Sequence, residues 1–328
     1  MDRSRIYKVR GKRWKGAMGL CLAAVLAMAV LTGCSRKTAA VSGARTVDKE
    51  YTKGQMMVIA ITERNRYQNI YTSELWSVKA DQNGDTFEDR LMDQVEQFLI
   101  ELATTNLMAD EQGIELTGQE KDALKSLAQE YYRNLSEQDR RFMDVSEDEV
   151  YDLYCEYYRA DKLVAELTKN ENLEVSDAEA KVIGIQQIEA ENVLALAQAE
   201  KADFGAIAAK YSKDSRTDRT LEWQKDMDGL ERAAFELEQD QVSGILEQGG
   251  RYYILKCVNA YDQEATAARK SRLAQEKKTK AFLGIYEPYV KEHTVKLKKL
   301  PGDVVDFSGG EGCTADNFFQ LYHGYFSK

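Results

Sequence analysis

Residues 181–188 read KVIGIQQI, in which four of eight side chains are β-branched, a composition typical of a strand. The residues after it predict two helices, at about 190–201 and 203–211. A polar loop is predicted at 212–220 and a short extended segment at 221–223. A short helix and two strands should follow, at 229–236, 242–248 and 251–260, with Gly249-Gly250 joining the strands. This order of elements over about 85 residues predicts a compact α+β domain.

The residues before this domain show the apolar spacing of helices instead. An N-cap is predicted at Thr86, and three capping-box patterns mark further helix starts, at Thr117/Glu120, Ser146/Glu149 and Ser176/Glu179. A last helical pattern covers about 264–293, with interruptions predicted near Gly284 and Pro288. We expect this C-terminal helix to return to the helical domain.

The N-terminus has the pattern of an export signal. Residues 1–16 hold seven basic residues and one acid, residues 17–31 are apolar throughout, and Leu31-Thr32-Gly33 precedes Cys34. This resembles the bacterial lipobox, which implies lipidation of Cys34 and cleavage before it. The alternative is an uncleaved anchor helix, which would also hold the protein outside the cytoplasm. Removing 1–33 from a chain of net charge −10 leaves −16.

Composition excludes several classes of function. The net charge of −10 argues against nucleic-acid binding, which normally needs a basic surface. With two histidines, His293 and His323, histidine-rich metal sites and centrally placed catalytic triads are excluded, and no metal or cofactor is indicated. Cys155 and Cys257 are expected to be buried, whereas Cys313 lies in a glycine-rich tail that favours exposure.

Four segments resemble the parvulin-type peptidyl-prolyl isomerases, in the order of that family. They are DFGAIAAKYS (203–212), LEW (221–223), AAFEL followed by VSG (233–244) and YYILKC (252–257). Residues 109–120 and 175–180, together with the lipobox, are similar to PrsA- and SurA-like extracytoplasmic foldases. The resemblance covers most of residues 85–295.

The resemblance implies a domain order. It comprises a lipoprotein signal peptide (1–33), a lipidated tether (34–50), a helical chaperone-like domain (51–176), a parvulin-like antiparallel-sheet domain (177–262), a C-terminal helix packing on the helical domain (263–295) and a weakly patterned tail (296–328). The expected fold class is therefore α+β.

The resemblance also implies site residues. The family binds the proline ring in a cup of Met and aromatic side chains, above two strand histidines and beside a loop Asp or Cys. Asp214 takes the loop position, and Gln187 (Gln186 if the register slips by one) and Tyr253 take the histidine positions. The substrate-binding set falls on Met227, Leu230, Phe235 and Trp223, with Leu230 matched only if one residue is deleted. Both family histidines are thus replaced, which puts isomerase activity in doubt.

Three hypotheses follow. The leading one is a lipid-anchored extracytoplasmic foldase whose partners are unfolded secreted polypeptides, acting as an isomerase or as a proline-tolerant binding site. The second is a catalytically inactive peptide-binding scaffold. The third is the solute-binding lipoprotein of a transporter, although the alternating βαβ units of that class are missing from the pattern. Whether the chain forms a homodimer is left open.

Overall fold

The computed structural model describes residues 45–190 and 192–326. The predicted signal peptide, Cys34 and the tether before residue 45 lie outside the described residues. The chain divides into two compact units, one made of the residues up to Glu171 and from Thr279 onwards, the other made of Asn172–Lys278. The first is mainly helical and the second contains a small antiparallel sheet, so the predicted α+β class is confirmed.

The first unit, called the helical unit here, begins with one strand and continues as helices. Its elements before the insertion are β1 (Arg45–Lys49), α1 (Lys53–Gln68), a 3₁₀ turn (Ser73–Ser77), α2 (Phe87–Glu111), α3 (Gly118–Asn134), α4 (Glu137–Met143) and α5 (Glu147–Thr168). The predicted helix starts are confirmed, since α2, α3 and α5 begin with capping boxes at Thr86, Thr117 and Ser146.

Helix α1 is the centre of the helical unit. Six consecutive residues, from Met56 to Ile61, are each at most 2% exposed. A helix that is apolar on all sides is stable only when neighbours cover it completely. Here α2, α4 and α5 pack against it.

The second unit, called the sheet unit here, holds four strands. Its elements are α6 (Asp177–Ala180), β2 (Val182–Glu189), α7 (Leu194–Ala197), α8 (Phe204–Tyr211), β3 (Asp218–Glu222), α9 (Gly229–Glu236), β4 (Leu246–Gln248), β5 (Arg251–Asn259) and the first part of α10 (Gln263–Glu292). The strand order is β3-β2-β5-β4, antiparallel throughout. Gly249 and Gly250 have φ angles of 60° and 74°, which a tight hairpin requires and glycine adopts without strain.

After the sheet unit the chain completes the helical unit. The remaining elements are the end of α10, β6 (His293–Leu297), α11 (Pro301–Val304) and α12 (Phe318–Phe326). Strand β6 pairs in parallel with β1, so the parts of the helical unit before and after the sheet unit share one ladder.

The predicted interruption of the C-terminal helix is wrong. Helix α10 continues through both Gly284 and Pro288. The sequence rule counts the hydrogen bond that proline removes, but not the packing that compensates for it. Next to Pro288, Tyr289 packs against Met108 and Leu163, which belong to α2 and α5. The packing of this turn stabilises the helix across the proline.

The predicted exposure of Cys313 is also wrong, because Cys313 is 8% exposed. The tail around it belongs to the main core cluster, and the Asn65 side chain donates a hydrogen bond to the Cys313 carbonyl. Cys257 is buried as predicted, while Cys155 is half-buried. Among the helices of residues 45–190 and 192–326, none combines the length and apolarity needed to cross a bilayer.

Candidate peptide-binding site

Side chains alternate between the two faces of the sheet, and the strand register shows which residues share a face. Gln187 is opposite Leu255 and Tyr253 is opposite Glu189. Directly opposed residues point to the same side, so Gln187 and Tyr253 are diagonal neighbours on one face. Gln186 lies on the other face. The structure therefore brings together the two residues at the predicted histidine positions.

Helix α9 covers the face that carries Gln187, which is called the α9 face here. Ala234 and Phe235 of α9 belong to one hydrophobic cluster with Ile185 and Leu255 of the sheet. Ala234 has no exposed surface, which lets the helix approach the strands closely. The apolar part of this face is packed core.

Gln187 is held by an arginine that the sequence analysis did not select. Its side chain is 3% exposed, and Arg219 Nη1 donates a hydrogen bond of 3.0 Å to its Oε1 atom. Arg219 lies opposite Ile185, which places it on the same face as Gln187. The local sequence around Arg219 does not indicate this contact, because it depends on the register in which β3 pairs with β2.

Further polar groups continue from Arg219 to the start of α9. Asp228 caps α9 through the Glu231 amide and accepts a 3.0 Å hydrogen bond from Gln248 Nε2. The hydrogen bond from the Glu231 amide lowers the pKa of Asp228 despite partial burial, with smaller contributions from Gln248 and the charge of Arg219. Gln248 and Asp228 therefore add polar groups at the end of the α9 face where α9 begins.

Glu189 and Arg251 form an ion pair at this same end. Glu189 is 8% exposed, and its Oε2 atom is 3.5 Å from Arg251 Nη1. Because Glu189 is opposite Tyr253, the pair lies beside the tyrosine. We call Gln187, Arg219, Glu189, Arg251 and Tyr253 the polar end of the α9 face.

Asp214, the predicted loop acid, is held within its own turn. Its Oδ1 atom accepts a 2.9 Å hydrogen bond from the Arg216 amide, and its carbonyl accepts one from Ser212 Oγ. An open cavity of about 500 Å³ is lined by residues 214–220 of this loop. The loop is tied to the end of β2 by a hydrogen bond from the Lys213 amide to the Glu189 carbonyl. The described hydrogen bonds of Asp214 do not reach Gln187 or Tyr253.

The predicted substrate-binding residues are divided between the two ends of the α9 face. Leu230 is 9% exposed, and its amide donates to Gln248 Oε1, which places it near the polar end. Trp223 is at the opposite end, where its amide donates to the Lys181 carbonyl. Six residues of extended chain between Lys181 and Gln187 span about 20 Å.

Phe235 lies at the far end with Trp223, because the Lys181 ammonium is 5.8 Å from the centre of its ring. Met227 is half-buried directly before α9, and its carbonyl accepts a hydrogen bond from Arg232. The four residues therefore do not form a single cup around Gln187.

A second cavity lies on the opposite face of the sheet. Its volume is about 420 Å³ and its lining includes Phe204, Val242 and Lys256. Neither this cavity nor the one at 214–220 is lined by Met227 or Leu230. Within the described ranges, no group of three His, Cys, Asp or Glu side chains is arranged to hold a metal ion.

Comparison with solved structures finds PrsA proteins. The foldase protein PrsA of Streptococcus pneumoniae is 18% identical, with 75% of this chain and 98% of that chain covered and a TM-score of 0.24. PrsA of Bacillus subtilis is 18% identical over 68% of this chain and 94% of that chain, with a TM-score of 0.22. The peptidylprolyl isomerase PrsA of Bacillus cereus is 16% identical over 74% of this chain and 99% of that chain, with a TM-score of 0.31.

The predicted resemblance to PrsA thus reappears among solved structures. No protein-family model matches the chain, and no curated protein is significantly similar to it. Because the TM-scores are low, the likeness assigns no residue role. The function has to follow from the geometry of this chain.

Proposed function

We propose that this protein is an extracytoplasmic foldase that holds unfolded secreted polypeptides and carries a peptidyl-prolyl isomerase-type unit. The supporting observation is the insertion of a four-stranded antiparallel sheet, with Gln187 and Tyr253 on one face, into a helical unit. A polypeptide segment that binds at the polar end of the α9 face would meet the hydrogen-bond donors of Arg219, Arg251 and Tyr253, which are exposed or half-buried.

Isomerisation of an X-Pro bond breaks no covalent bond, so the catalyst only has to favour the twisted amide over the planar one. Twisting ends the conjugation between nitrogen and carbonyl, and the nitrogen lone pair becomes a hydrogen-bond acceptor. Arg219 and the Nε2 group of Gln187 are donors on the α9 face that could stabilise this state. In this proposal Gln187 acts at one family histidine position, and Arg219 supplies a donor beside it.

A catalytically inactive peptide-binding scaffold is the second candidate, and one observation favours it. Leu230, a predicted cup residue, is 9% exposed, and α9 packs directly on the sheet at Ala234. A proline ring would therefore have to enter beside α9 rather than into an open cup. This candidate predicts binding of unfolded polypeptide without acceleration of isomerisation.

A protease-coupled assay with a cis X-Pro peptide distinguishes the two candidates. The foldase proposal expects the purified chain to accelerate isomerisation and Gln187→Ala to reduce the rate at least tenfold. Gln186→Ala is the matched control, because its side chain lies on the opposite face. No acceleration, combined with suppression of the aggregation of an unfolded client, would favour the scaffold. Failure of both assays would reject both candidates.

A lipid on Cys34 would place the protein at the outer surface of the cytoplasmic membrane. The support is the basic and apolar N-terminus followed by Leu31-Thr32-Gly33-Cys34. Metabolic labelling with a palmitate analogue should mark the protein, and Cys34→Ala should abolish the label. Labelling of the alanine variant would show that the anchor is elsewhere.

The transporter alternative is disfavoured by the sheets. In residues 45–190 and 192–326, the four-stranded sheet is antiparallel and the other sheet has two strands. Solute-binding lobes built from βαβ units require larger parallel sheets.

A further inference from the structure

The C-terminal tail crosses the helical unit partly as an extended segment. Residues 313–317 belong to no helix or strand. Their burial alternates, because Cys313 and Ala315 are buried while Thr314 and Asp316 are exposed. This period of two is that of a peptide lying in a groove with every second side chain directed inward.

Side chains of the helical unit bind the main chain of this segment. Asn65 Nδ2 donates hydrogen bonds of 3.1 and 2.9 Å to the carbonyls of Cys313 and Ala315. Asp139 Oδ1 accepts a 2.9 Å hydrogen bond from the Thr314 amide between them. Asn65 is 6% exposed and Asp139 2% exposed. Contacts to main-chain groups do not depend on the tail's own side chains, so another extended polypeptide could make them.

Aromatic side chains hold the part of the tail that follows. The Phe318 ring stacks on Tyr154, with 4.2 Å between centroids and 4° between planes. Tyr322 packs edge-on against Tyr157 at 4.6 Å, and its hydroxyl donates a 2.7 Å hydrogen bond to Asp161. Tyr154 also donates its hydroxyl to the Phe318 carbonyl. The helical unit thus combines side chains that bind the main chain of the tail, Asn65 and Asp139, with a pocket formed by Tyr154 and Tyr157.

From this arrangement we infer that the helical unit contains a binding site for extended, aromatic-rich polypeptide, which residues 313–326 occupy as a tethered ligand. The site is defined by Asn65, Asp139, Tyr154 and Tyr157. An unfolded client segment would replace the tail and take over the same hydrogen bonds and aromatic contacts. This inference rests on the proposed function, since it names the site where the foldase holds its client.

The chemistry of the site suits exchange of one polypeptide for another. Burial opposes ionisation of Asp139, but hydrogen bonds from Cys313, Ser136 and the Thr314 amide lower its pKa overall. Asn65 is buried and would lose two hydrogen bonds without the tail, which is costly, whereas Asp139 would lose the bond from the Thr314 amide but keep those from Ser136. A vacant site is therefore unfavourable, and a client that supplies amides and carbonyls can compete with the tail.

The test uses the full chain with a protease site inserted between Lys299 and Leu300, which are both exposed. After cleavage, a fluorescent synthetic peptide of residues 300–328 is added in excess and followed by anisotropy and gel filtration. We expect the peptide to displace the cleaved tail and bind saturably, and a Phe318→Ala peptide to bind at least tenfold more weakly. Absence of exchange within a day, or unfolding when the tail leaves, would overturn the inference.

Two neighbouring asparagines supply a matched comparison in the protein itself. Asn65→Ala should weaken binding of the peptide about tenfold, because two main-chain hydrogen bonds are lost. Asn69→Ala removes only an exposed contact to Asp316 and should change binding by less than twofold. Equal effects of the two variants would contradict main-chain recognition. The Phe318→Ala peptide leaves the protein unchanged, so it stays informative if Asn65→Ala fails to fold.

Failure of the inference can be told apart from failure of the proposed function. The uncut chain is tested in parallel for suppression of client aggregation. Suppression without tail exchange would retain the foldase and reject this site. If the tail peptide exchanges but an unfolded client does not compete with it, the groove does not bind clients. This result would also reject the inference.

Discussion

The Glu101 carboxyl makes the stability of the helical unit depend on pH. Its Oε1 atom accepts a 2.8 Å hydrogen bond from Gln97, while its Oε2 atom is buried without a hydrogen-bond partner in the described structure. Burial raises the pKa of Glu101 from its usual 4.5 to about 7. The folded protein therefore holds a proton that the unfolded chain releases at lower pH. The stability gained from this proton is complete below pH 4.5 and is lost as pH rises towards 7.

The difference between 4.5 and about 7 sets the size of the effect. One pH unit corresponds to about 1.4 kcal/mol, so ionisation of Glu101 costs the folded state up to about 3 kcal/mol. Glu101→Gln removes the charge and keeps the shape of the side chain. We expect the free energy of unfolding of the variant to exceed that of the parent by up to about 3 kcal/mol at pH 8 and to equal it near pH 4.5.

Urea unfolding followed by circular dichroism at pH 4.5, 6, 7 and 8 measures this difference. Glu115→Gln is the control, because Glu115 is exposed. Other carboxyls also titrate in this range, but their contributions cancel in the difference between parent and variant. If the difference in free energy of unfolding between Glu101→Gln and its parent is the same at every pH, the buried carboxyl does not have the raised pKa.

Two further perturbations test the other parts of the molecule. Arg219→Leu should destabilise the sheet unit by about 1–3 kcal/mol in thermal unfolding, because its buried partner Gln187 loses a hydrogen bond. Arg216 is exposed, so the control Arg216→Leu should change the free energy of unfolding by less than about 0.5 kcal/mol. Similar losses for both variants would contradict the pairing of Arg219 with Gln187. Gly310→Ala should cost about 1–3 kcal/mol in urea unfolding, because the new Cβ would lie 2.5 Å from Phe142 Cζ. Gly302→Ala has no atom within 4 Å of the new Cβ and should be nearly neutral, so equal effects would show that the ring moves aside freely.

Local patterns predicted much of the fold. The apolar run at 181–188 became β2, and the pair Gly249-Gly250 became the hairpin between β4 and β5. These signals are local, since a strand pattern and a turn depend on neighbouring residues. Helix α10 could not be predicted as continuous, because its passage through Pro288 depends on packing against distant residues.

The candidate site was predicted less completely than the fold. Gln187 and Tyr253 share a face, as their family positions imply. Arg219 was missed because its contact with Gln187 depends on the register in which β3 pairs with β2, and local sequence patterns do not determine this register. Leu230 and Trp223 lie at opposite ends because β3 ends beside the start of β2, whereas α9 begins beside Gln248, and both placements depend on tertiary contacts. Whether these residues bind substrate stays a prediction.

The pairing of β1 with β6 constrains the order in which the chain can fold. Residues 45–49 are synthesised early, but their partner strand, 293–297, follows more than two hundred residues later. The sheet unit lies wholly between them and can close its own ladder beforehand. Synthesis from the N-terminus would therefore allow the sheet unit to fold before β6 can pair with β1, and until then the helical unit lacks this strand pair, as an incompletely folded polypeptide does.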